Sequence, residues 1–110
     1  MLAKLPIRFP KILKQNFSSY HLYVIRVKSE LLAKTHKQIF SELKDANIGV
    51  NLHYIPIHLH PYYRKLGFEE GMFPNAEKYF SEAISIPLYP NLSDKDQSFI
   101  ASSLEKILSK

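Results

Sequence analysis

The chain has 110 residues, of which 45% are hydrophobic and 23% charged, a size and composition typical of one folded domain with its own core. It contains no cysteine, which excludes disulfide bonds and thiolate metal sites and fits the cytoplasmic location that we expect. Since no apolar run approaches the ~20 residues that span a bilayer, we expect no membrane segment. The formal net charge of +5 is spread along the chain, so we expect no nucleic-acid interface.

The N-terminal segment, residues 1–16, is predicted to be an extended arm, because Pro6 and Pro10 interrupt it. We interpret it as a linker from a further domain that precedes residues 17–110. The sequence SYHLYVIRV, residues 19–27, then predicts a strand, because Tyr, Val and Ile dominate it. Apolar groups occupy both of its alternating faces, which indicates a strand that is covered on both sides.

A helix is predicted over about residues 30–46, with Ser29 as its N-cap and apolar side chains at helical spacing on one face. The sequence NIG ends this helix, and Gly49 is expected to have a positive φ. The sequence VNLHYI, residues 50–55, predicts a second strand, and Pro56 limits how far that strand can run.

The C-terminal half predicts a loop, two helices and a third strand. The loop covers residues 57–74 with one helical turn near 62–66, and Asn75 is predicted to cap a short helix that runs to Ala83. The sequence ISI is the third strand, and Ser93 caps a last helix whose first turn carries two aspartates. The apolar stripe of that helix consists of Phe99, Ile100, Leu104, Ile107 and Leu108. We therefore predict an α+β fold, with a small sheet of about three strands packed with three helices.

The sequence NLHYIPIHLHPYYRKLGF, residues 51–68, holds three histidines, three tyrosines and an arginine, and we refer to it as the ring-rich stretch. A metal site is disfavoured, because catalytic zinc needs about three protein ligands and the stretch contains no carboxylate. A self-contained active site is also disfavoured, since the chain has neither a nucleophile elbow nor a glycine-rich phosphate loop. Two interpretations stay open for Tyr54 and the histidines His53, His58 and His60: they pack as structural rings, or they contact a ligand.

Three segments, taken together and in this order, resemble one known family: SSYHLYVIRV, then ELKDANIGVNLHYIPIHLHPYYRKLGF, then FPNAEKYFSEAISIPLYPNLSDKD. They are similar to the C-terminal small domain of the DegT/DnrJ/StrS family of pyridoxal-phosphate-dependent nucleotide-sugar aminotransferases. The variety that aminates a UDP-4-keto sugar on the pseudaminic-acid route is especially similar. The likeness covers about residues 17–108.

The resemblance implies the small domain of a fold-type I transferase that uses pyridoxal phosphate. It implies that the parent enzyme moves an amino group from glutamate to a UDP-linked keto sugar, in surface polysaccharide or glycan biosynthesis. A large domain and a homodimer partner would complete that enzyme. In the family the cofactor lysine lies in the large domain, and no lysine of this chain matches its motif. We therefore expect no bound cofactor, no catalytic residue and no transamination by this chain alone.

By the same resemblance, the first part of the ring-rich stretch would line the sugar-nucleotide side of the cleft. His53 and Tyr54 are candidates for hydrogen bonds to the substrate, and His58 is a third candidate. Residues 62–64 are expected to pack at a domain or dimer boundary. Two other functions stay open, namely a stand-alone sugar-nucleotide binding module and a protein-interaction domain.

Overall fold

Three antiparallel strands, in the order β1-β2-β3, form the sheet of the computed structural model, which describes residues 2–109. Four α-helices accompany the sheet within the described residues, so the predicted α+β class is confirmed. The strands are β1 Ile7–Arg8, β2 Tyr23–Val27 and β3 Ala83–Ile86. The helices are α1 His36–Asp45, α2 Pro61–Lys65, α3 Pro74–Glu82 and α4 Asp94–Leu108, and short 3₁₀ turns lie at Ser29–Leu31 and Ile57–Leu59. Met1, the first residue of the predicted arm, and Lys110, the last residue of the predicted small domain, lie outside the described residues.

The first strand comes from the segment that the sequence predicts to be an arm. Ile7 pairs with Val27 and Arg8 pairs with Arg26, so this segment forms one edge of the sheet. On its other side, β2 pairs antiparallel with β3. β2 is therefore the central strand, and its side chains Ile25 and Val27 are fully buried. Between residues 2 and 109, none of the helices combines the length and the apolar character that a bilayer crossing requires.

The strand predicted over residues 50–55 is wrong, because this segment makes only an isolated antiparallel bridge between Asn51 and Ser85. The Asn51 amide donates to the Ser85 carbonyl at 3.1 Å, and the Ser85 amide donates back at 2.8 Å. The next amide, that of Leu52, donates to the Asn51 side-chain oxygen at 2.8 Å. The asparagine side chain thus competes with the sheet ladder, and the pairing stops after one residue.

The first helix begins later than predicted. Ser29 begins a 3₁₀ turn, and the N-cap of α1 is Thr35. Thr35 and Gln38 form a capping box, in which the Gln38 amide donates to Thr35 Oγ1 at 3.3 Å and the Thr35 amide donates to Gln38 Oε1 at 2.8 Å. After the helix, Asn47 rather than Gly49 has a positive φ, 58°, because asparagine tolerates the left-handed region.

The last two helices begin close to their predicted positions. The predicted cap Asn75 is wrong, because α3 starts at Pro74, whose fixed φ suits the first helical turn, and its N-cap is Phe73. The predicted cap of α4 is confirmed, because Ser93 Oγ accepts a hydrogen bond from the Asp96 amide at 3.1 Å. Four of the five predicted apolar residues of α4 are buried, whereas Phe99 is 52% exposed.

The hydrophobic core is built from side chains of the sheet, α1 and α4. Burying one such side chain stabilises a fold by about 1.5–3 kcal/mol relative to leaving it exposed. The largest fully buried side chains are Ile25, Val27, Ile39, Leu43, Ile84 and Leu104.

A buried carboxylate, that of Glu82, joins the sheet to α3. The Glu82 side chain is 4% exposed, and its Oε2 lies 2.7 Å from Arg26 and 3.3 Å from Arg8. Its other oxygen, Oε1, lies 2.9 Å from Lys78. Burial raises the pKa of Glu82, but the hydrogen bonds from Lys78 and Arg26 together outweigh burial and hold that pKa below its ordinary value. The carboxylate is therefore ionised at neutral pH and links β1, β2 and α3.

We expect the Glu82 cluster to make the fold acid-sensitive. Because the folded pKa is depressed, its stabilising effect is present above the ordinary glutamate pKa of about 4.3 and is lost as the pH falls through the folded pKa. Glu82→Gln should lower the free energy of unfolding by about 1–2 kcal/mol at neutral pH, a figure already reduced because the arginines are partly solvated.

Urea unfolding between about pH 7 and about pH 3 measures this difference. The difference in the free energy of unfolding between wild type and Glu82→Gln should shrink as the pH falls. For Glu105→Gln, at an exposed glutamate of α4, the difference from wild type should not change with pH in this way. A gap that stays constant across the whole range would show that the charge of Glu82 is not what stabilises the fold.

Candidate functional site

The structure distributes the predicted site residues over two grooves. His53 lines a groove of about 610 Å³, which we name the polar groove and define by His21, Asn51, His53, Ser85 and Asp96. Tyr54 and His58 line a groove of about 490 Å³, which we name the apolar groove and define by Tyr54, Ile57, His58, Tyr63, Phe68 and Phe73. The peptide bond between His53 and Tyr54 is cis, and the two rings meet edge to face with centroids 4.6 Å apart. The three candidates therefore do not converge on one pocket, and their role in substrate binding stays a prediction.

In the polar groove, His53 is held by a buried serine of the sheet. His53 Nδ1 lies 2.6 Å from Ser85 Oγ, and Ser85 is fixed in β3 by its backbone pairing with Asn51. This contact orients the imidazole and leaves Nε2 as the ring nitrogen that can meet a ligand. Tyr89 and Phe99 add aromatic surface to the same groove. A polar ring beside aromatic surface suits a ligand with hydroxyl groups and an apolar face.

In the apolar groove, His58 is buried and paired with a carboxylate. His58 Nε2 lies 2.8 Å from Glu77 Oε1, and the His58 ring packs on the Phe73 ring with centroids 4.7 Å apart. Tyr54, in contrast, is exposed. His58 is thus engaged in a contact within the domain, so that only Nδ1 could reach a ligand.

Glu77 is the residue that the sequence reasoning missed. Besides His58, its carboxylate accepts hydrogen bonds from the Gly71 amide at 2.8 Å and 3.0 Å and from the Phe73 amide at 3.4 Å. The hydrogen bond from His58 lowers the pKa of Glu77, burial opposes that effect, and the Gly71 and Phe73 amides add to the lowering. The readable signal was a glutamate in the first turn of a helix that begins with Pro74, a position from which carboxylates fold back onto preceding amides.

The other side chains of the ring-rich stretch mainly contact residues of the same stretch. His60 Nε2 lies 3.2 Å from the Ile55 carbonyl, and Arg64 Nε donates to the Leu59 carbonyl at 3.1 Å. The Tyr62 and Tyr63 rings meet edge to face at 5.3 Å. Across residues 2–109, no three His, Asp or Glu side chains come close enough together to hold a metal ion.

The grooves do not fit pyridoxal phosphate, the cofactor that the resemblance implies. That cofactor needs a lysine for its Schiff base and donors or cations for its phosphate. In the part of the chain that the structure describes, neither the polar nor the apolar groove is lined by a lysine or an arginine. We therefore assign no step of cofactor chemistry to these residues.

Comparison with known proteins finds similar chains of greater length. The spore coat polysaccharide biosynthesis protein SpsC of Bacillus subtilis is 40% identical over 92 residues, which are 82% of this chain and 24% of that protein. A Streptococcus pneumoniae protein assigned as a sugar aminotransferase, in its PLP form, has a TM-score of 0.86 at 29% identity, over 98% of this chain and 28% of its own. Helicobacter pylori PseC, an aminotransferase involved in the biosynthesis of pseudoaminic acid, has a TM-score of 0.76 at 28% identity, over 86% of this chain and 25% of its own.

These comparisons agree, because each matches most of this chain to about a quarter of a longer protein. The chain spans about a quarter of the length of the relatives that it matches. Its α+β fold is shared with a part of known sugar aminotransferases. A family model matches residues 1–105, nearly the whole sequence. The chain therefore belongs to the DegT/DnrJ/EryC1/StrS aminotransferase family.

Proposed function

We propose that this chain is the C-terminal small domain of a pyridoxal-phosphate-dependent aminotransferase. The parent enzyme would move an amino group from glutamate to a nucleotide-linked keto sugar, for surface polysaccharide or glycan biosynthesis in the cytoplasm. The observation that carries the proposal is the match of nearly all of this chain to about a quarter of a sugar aminotransferase structure. The PLP and PMP forms of that neighbour support the cofactor.

The proposal divides the work between this domain and a large domain. Pyridoxal phosphate, its lysine and its phosphate cradle would belong to the large domain, and a homodimer partner would complete the enzyme. Residues 1–16, which also supply β1 of the sheet, would lead from the large domain into residues 17–110, which would close over the cleft. Neither the polar nor the apolar groove, within residues 2–109, is lined by a lysine, which supports this division, because the Schiff-base lysine would have to come from elsewhere.

His53 and Tyr54 are the proposed substrate contacts. His53 is oriented by Ser85 and borders the polar groove, and the ring of the exposed Tyr54 meets the His53 ring edge to face. Imidazole and phenol groups suit sugar hydroxyls and the polar edges of a base. His58 is the third proposed contact, and its bond to Glu77 restricts it to a supporting role through Nδ1.

We expect the isolated chain to be inactive. Incubated with pyridoxal phosphate, glutamate and a UDP-linked 4-keto sugar, it should release no 2-oxoglutarate above the level of the protein-free control. The physical reason is that, within residues 2–109, the polar groove and the apolar groove, which hold the candidate residues, are not lined by a lysine that could bind the cofactor. Enzymatic quantification of 2-oxoglutarate measures the outcome, and turnover by the chain alone would refute the division of labour.

We expect weak binding of a nucleotide sugar at His53 and Tyr54. Titration with UDP-N-acetylglucosamine, followed by backbone amide shifts, should move resonances around both residues with a millimolar Kd, because half a cleft covers little of a ligand. Tyr54→Phe should weaken binding by about threefold to tenfold, the loss of one hydrogen bond. Tyr62→Phe is the matched control, since these tyrosines are 71% and 67% exposed and only Tyr54 borders His53. Equal effects of the two substitutions, or no response near His53, would exclude these contacts.

A second candidate function, a protein-interaction domain, is favoured by the apolar groove. Aromatic and aliphatic side chains line it, and Tyr54, Ile57, Phe68 and Phe73 are all exposed. Contiguous exposed apolar surface promotes association with another protein surface. Such a surface is also what a domain separated from its partner would present.

We expect this groove to cause self-association of the isolated chain. Sedimentation velocity at increasing concentration should show association that Ile57→Asp reduces, because a charge in the groove opposes burial of the contact. Leu31→Asp is the control, since Leu31 is 65% exposed, as Ile57 is at 67%, but lies outside the groove. A chain that stays monomeric at all concentrations, or an equal effect of both substitutions, would argue against this function.

A further inference from the structure

The segment Tyr54–Ile57, which we name the tip, lies between His53 and His58 and is mostly exposed. Tyr54, Ile55 and Ile57 are exposed, and only Pro56 is buried. Within residues 2–109, its backbone hydrogen bonds go to Leu59 and His60, which belong to the same loop. The backbone alone therefore does not tie the tip to the sheet or to a helix.

Side chains provide that tie at both ends of the tip. Before it, His53 contacts Ser85 of β3 at 2.6 Å. After it, His58 contacts Glu77 of α3 at 2.8 Å. Both partners lie on regular elements and are themselves held, Ser85 by its backbone pairing and Glu77 by its place in the first turn of the helix. The tip is thus anchored at both ends, by the His53–Ser85 contact and by the His58–Glu77 contact.

Glu77 does more than bind one histidine. Its carboxylate also accepts from the Gly71 and Phe73 amides, and the Phe73 ring in turn packs on the His58 ring. One carboxylate therefore holds the turn that contains His58 and the loop before α3 together. Glu77 itself is not among the residues that line the apolar groove.

We propose that Glu77 is a positioning residue, which acts through His58 to hold the tip in one conformation before any ligand or partner arrives. The proposal rests on the proposed function in one respect, namely that the tip contacts the substrate through Tyr54. A recognition loop that is already ordered loses less conformational entropy when it binds. Removal of Glu77 should therefore loosen the tip and weaken binding, although Glu77 does not contact the ligand.

The test compares Glu77→Ala and Glu77→Gln with Glu70→Ala, at an exposed glutamate of the adjoining loop. The readouts in the ligand-free chain are amide exchange at Gly71, the ¹H–¹⁵N heteronuclear NOE of the tip, and the side-chain ¹⁵N shifts of His58. Titration with UDP-N-acetylglucosamine is the separate binding readout. Circular dichroism confirms that each variant is folded.

In Glu77→Ala we expect exchange at Gly71 to be at least about tenfold faster, the effect of losing one charge-assisted hydrogen bond. The NOE of the tip should fall, the His58 Nε2 shift should move, and the Kd should rise about tenfold. Glu77→Gln keeps one acceptor oxygen and should give intermediate values, whereas Glu70→Ala should match wild type. This rescue by the amide is not expected if Glu77 only adds general stability.

An unchanged tip NOE in Glu77→Ala would overturn the proposal, whatever the His58 shift and the titration show. If the tip loosens as expected but wild type does not respond to the nucleotide sugar, the proposed function fails and the positioning of the tip by Glu77 stands. If Glu77→Ala does not fold, Glu77→Gln decides: wild-type exchange at Gly71 together with a wild-type His58 shift would equally overturn the proposal.

Discussion

The ionised carboxylate of Glu82 is the constraint on which the arrangement of this domain depends. A buried charge is tolerated only when it is paired and hydrogen-bonded, so Arg8, Arg26 and Lys78 must all be held near it. Arg8 belongs to β1 and Arg26 to β2, while Glu82 ends α3. The cluster therefore fixes a two-residue edge strand, which is too short to be stable by its own pairing, and it sets how α3 lies against the sheet.

This constraint reaches the candidate site because α3 continues into β3 without a break. Glu77 lies in the first turn of that segment and Ser85 lies in its strand, on either side of Glu82. The partners of His53 and His58 are thus carried by one segment whose position the buried charge determines. The arrangement places an exposed loop on a rigid support, and that support, rather than the loop, sets the separation of the two anchoring contacts.

The sequence predicts best those features whose cause is local. β2, β3 and α4 carry their own patterns of apolar residues and caps, whereas β1 does not, because Ile7 is paired and buried only through contacts with a distant strand. The predicted start of α1 at Ser29 is wrong, although Thr35 and Gln38, three residues later, form a capping box that the sequence contains. The sequence predicts the ring-rich stretch as a candidate site, but it does not predict that His53 and His58 line two different grooves. The partners of His53 and His58 lie 32 and 19 residues further along the chain, and only the tertiary fold brings them there.

The positions of the charged side chains also depend on the tertiary fold, and they bear on the proposed substrate. The net charge of +5 suggests attraction to anions, yet several cations are used inside the domain. Arg8 and Arg26 neutralise Glu82, and Lys34 bonds both Glu42 and the carbonyl of Ile107. The polar and apolar grooves of residues 2–109 are lined by neither lysine nor arginine. If the cleft takes a nucleotide sugar, this chain is suited to its neutral parts, the sugar hydroxyls and the base. The charge of the diphosphate must then be balanced by groups outside these two grooves, as a site shared between two domains requires.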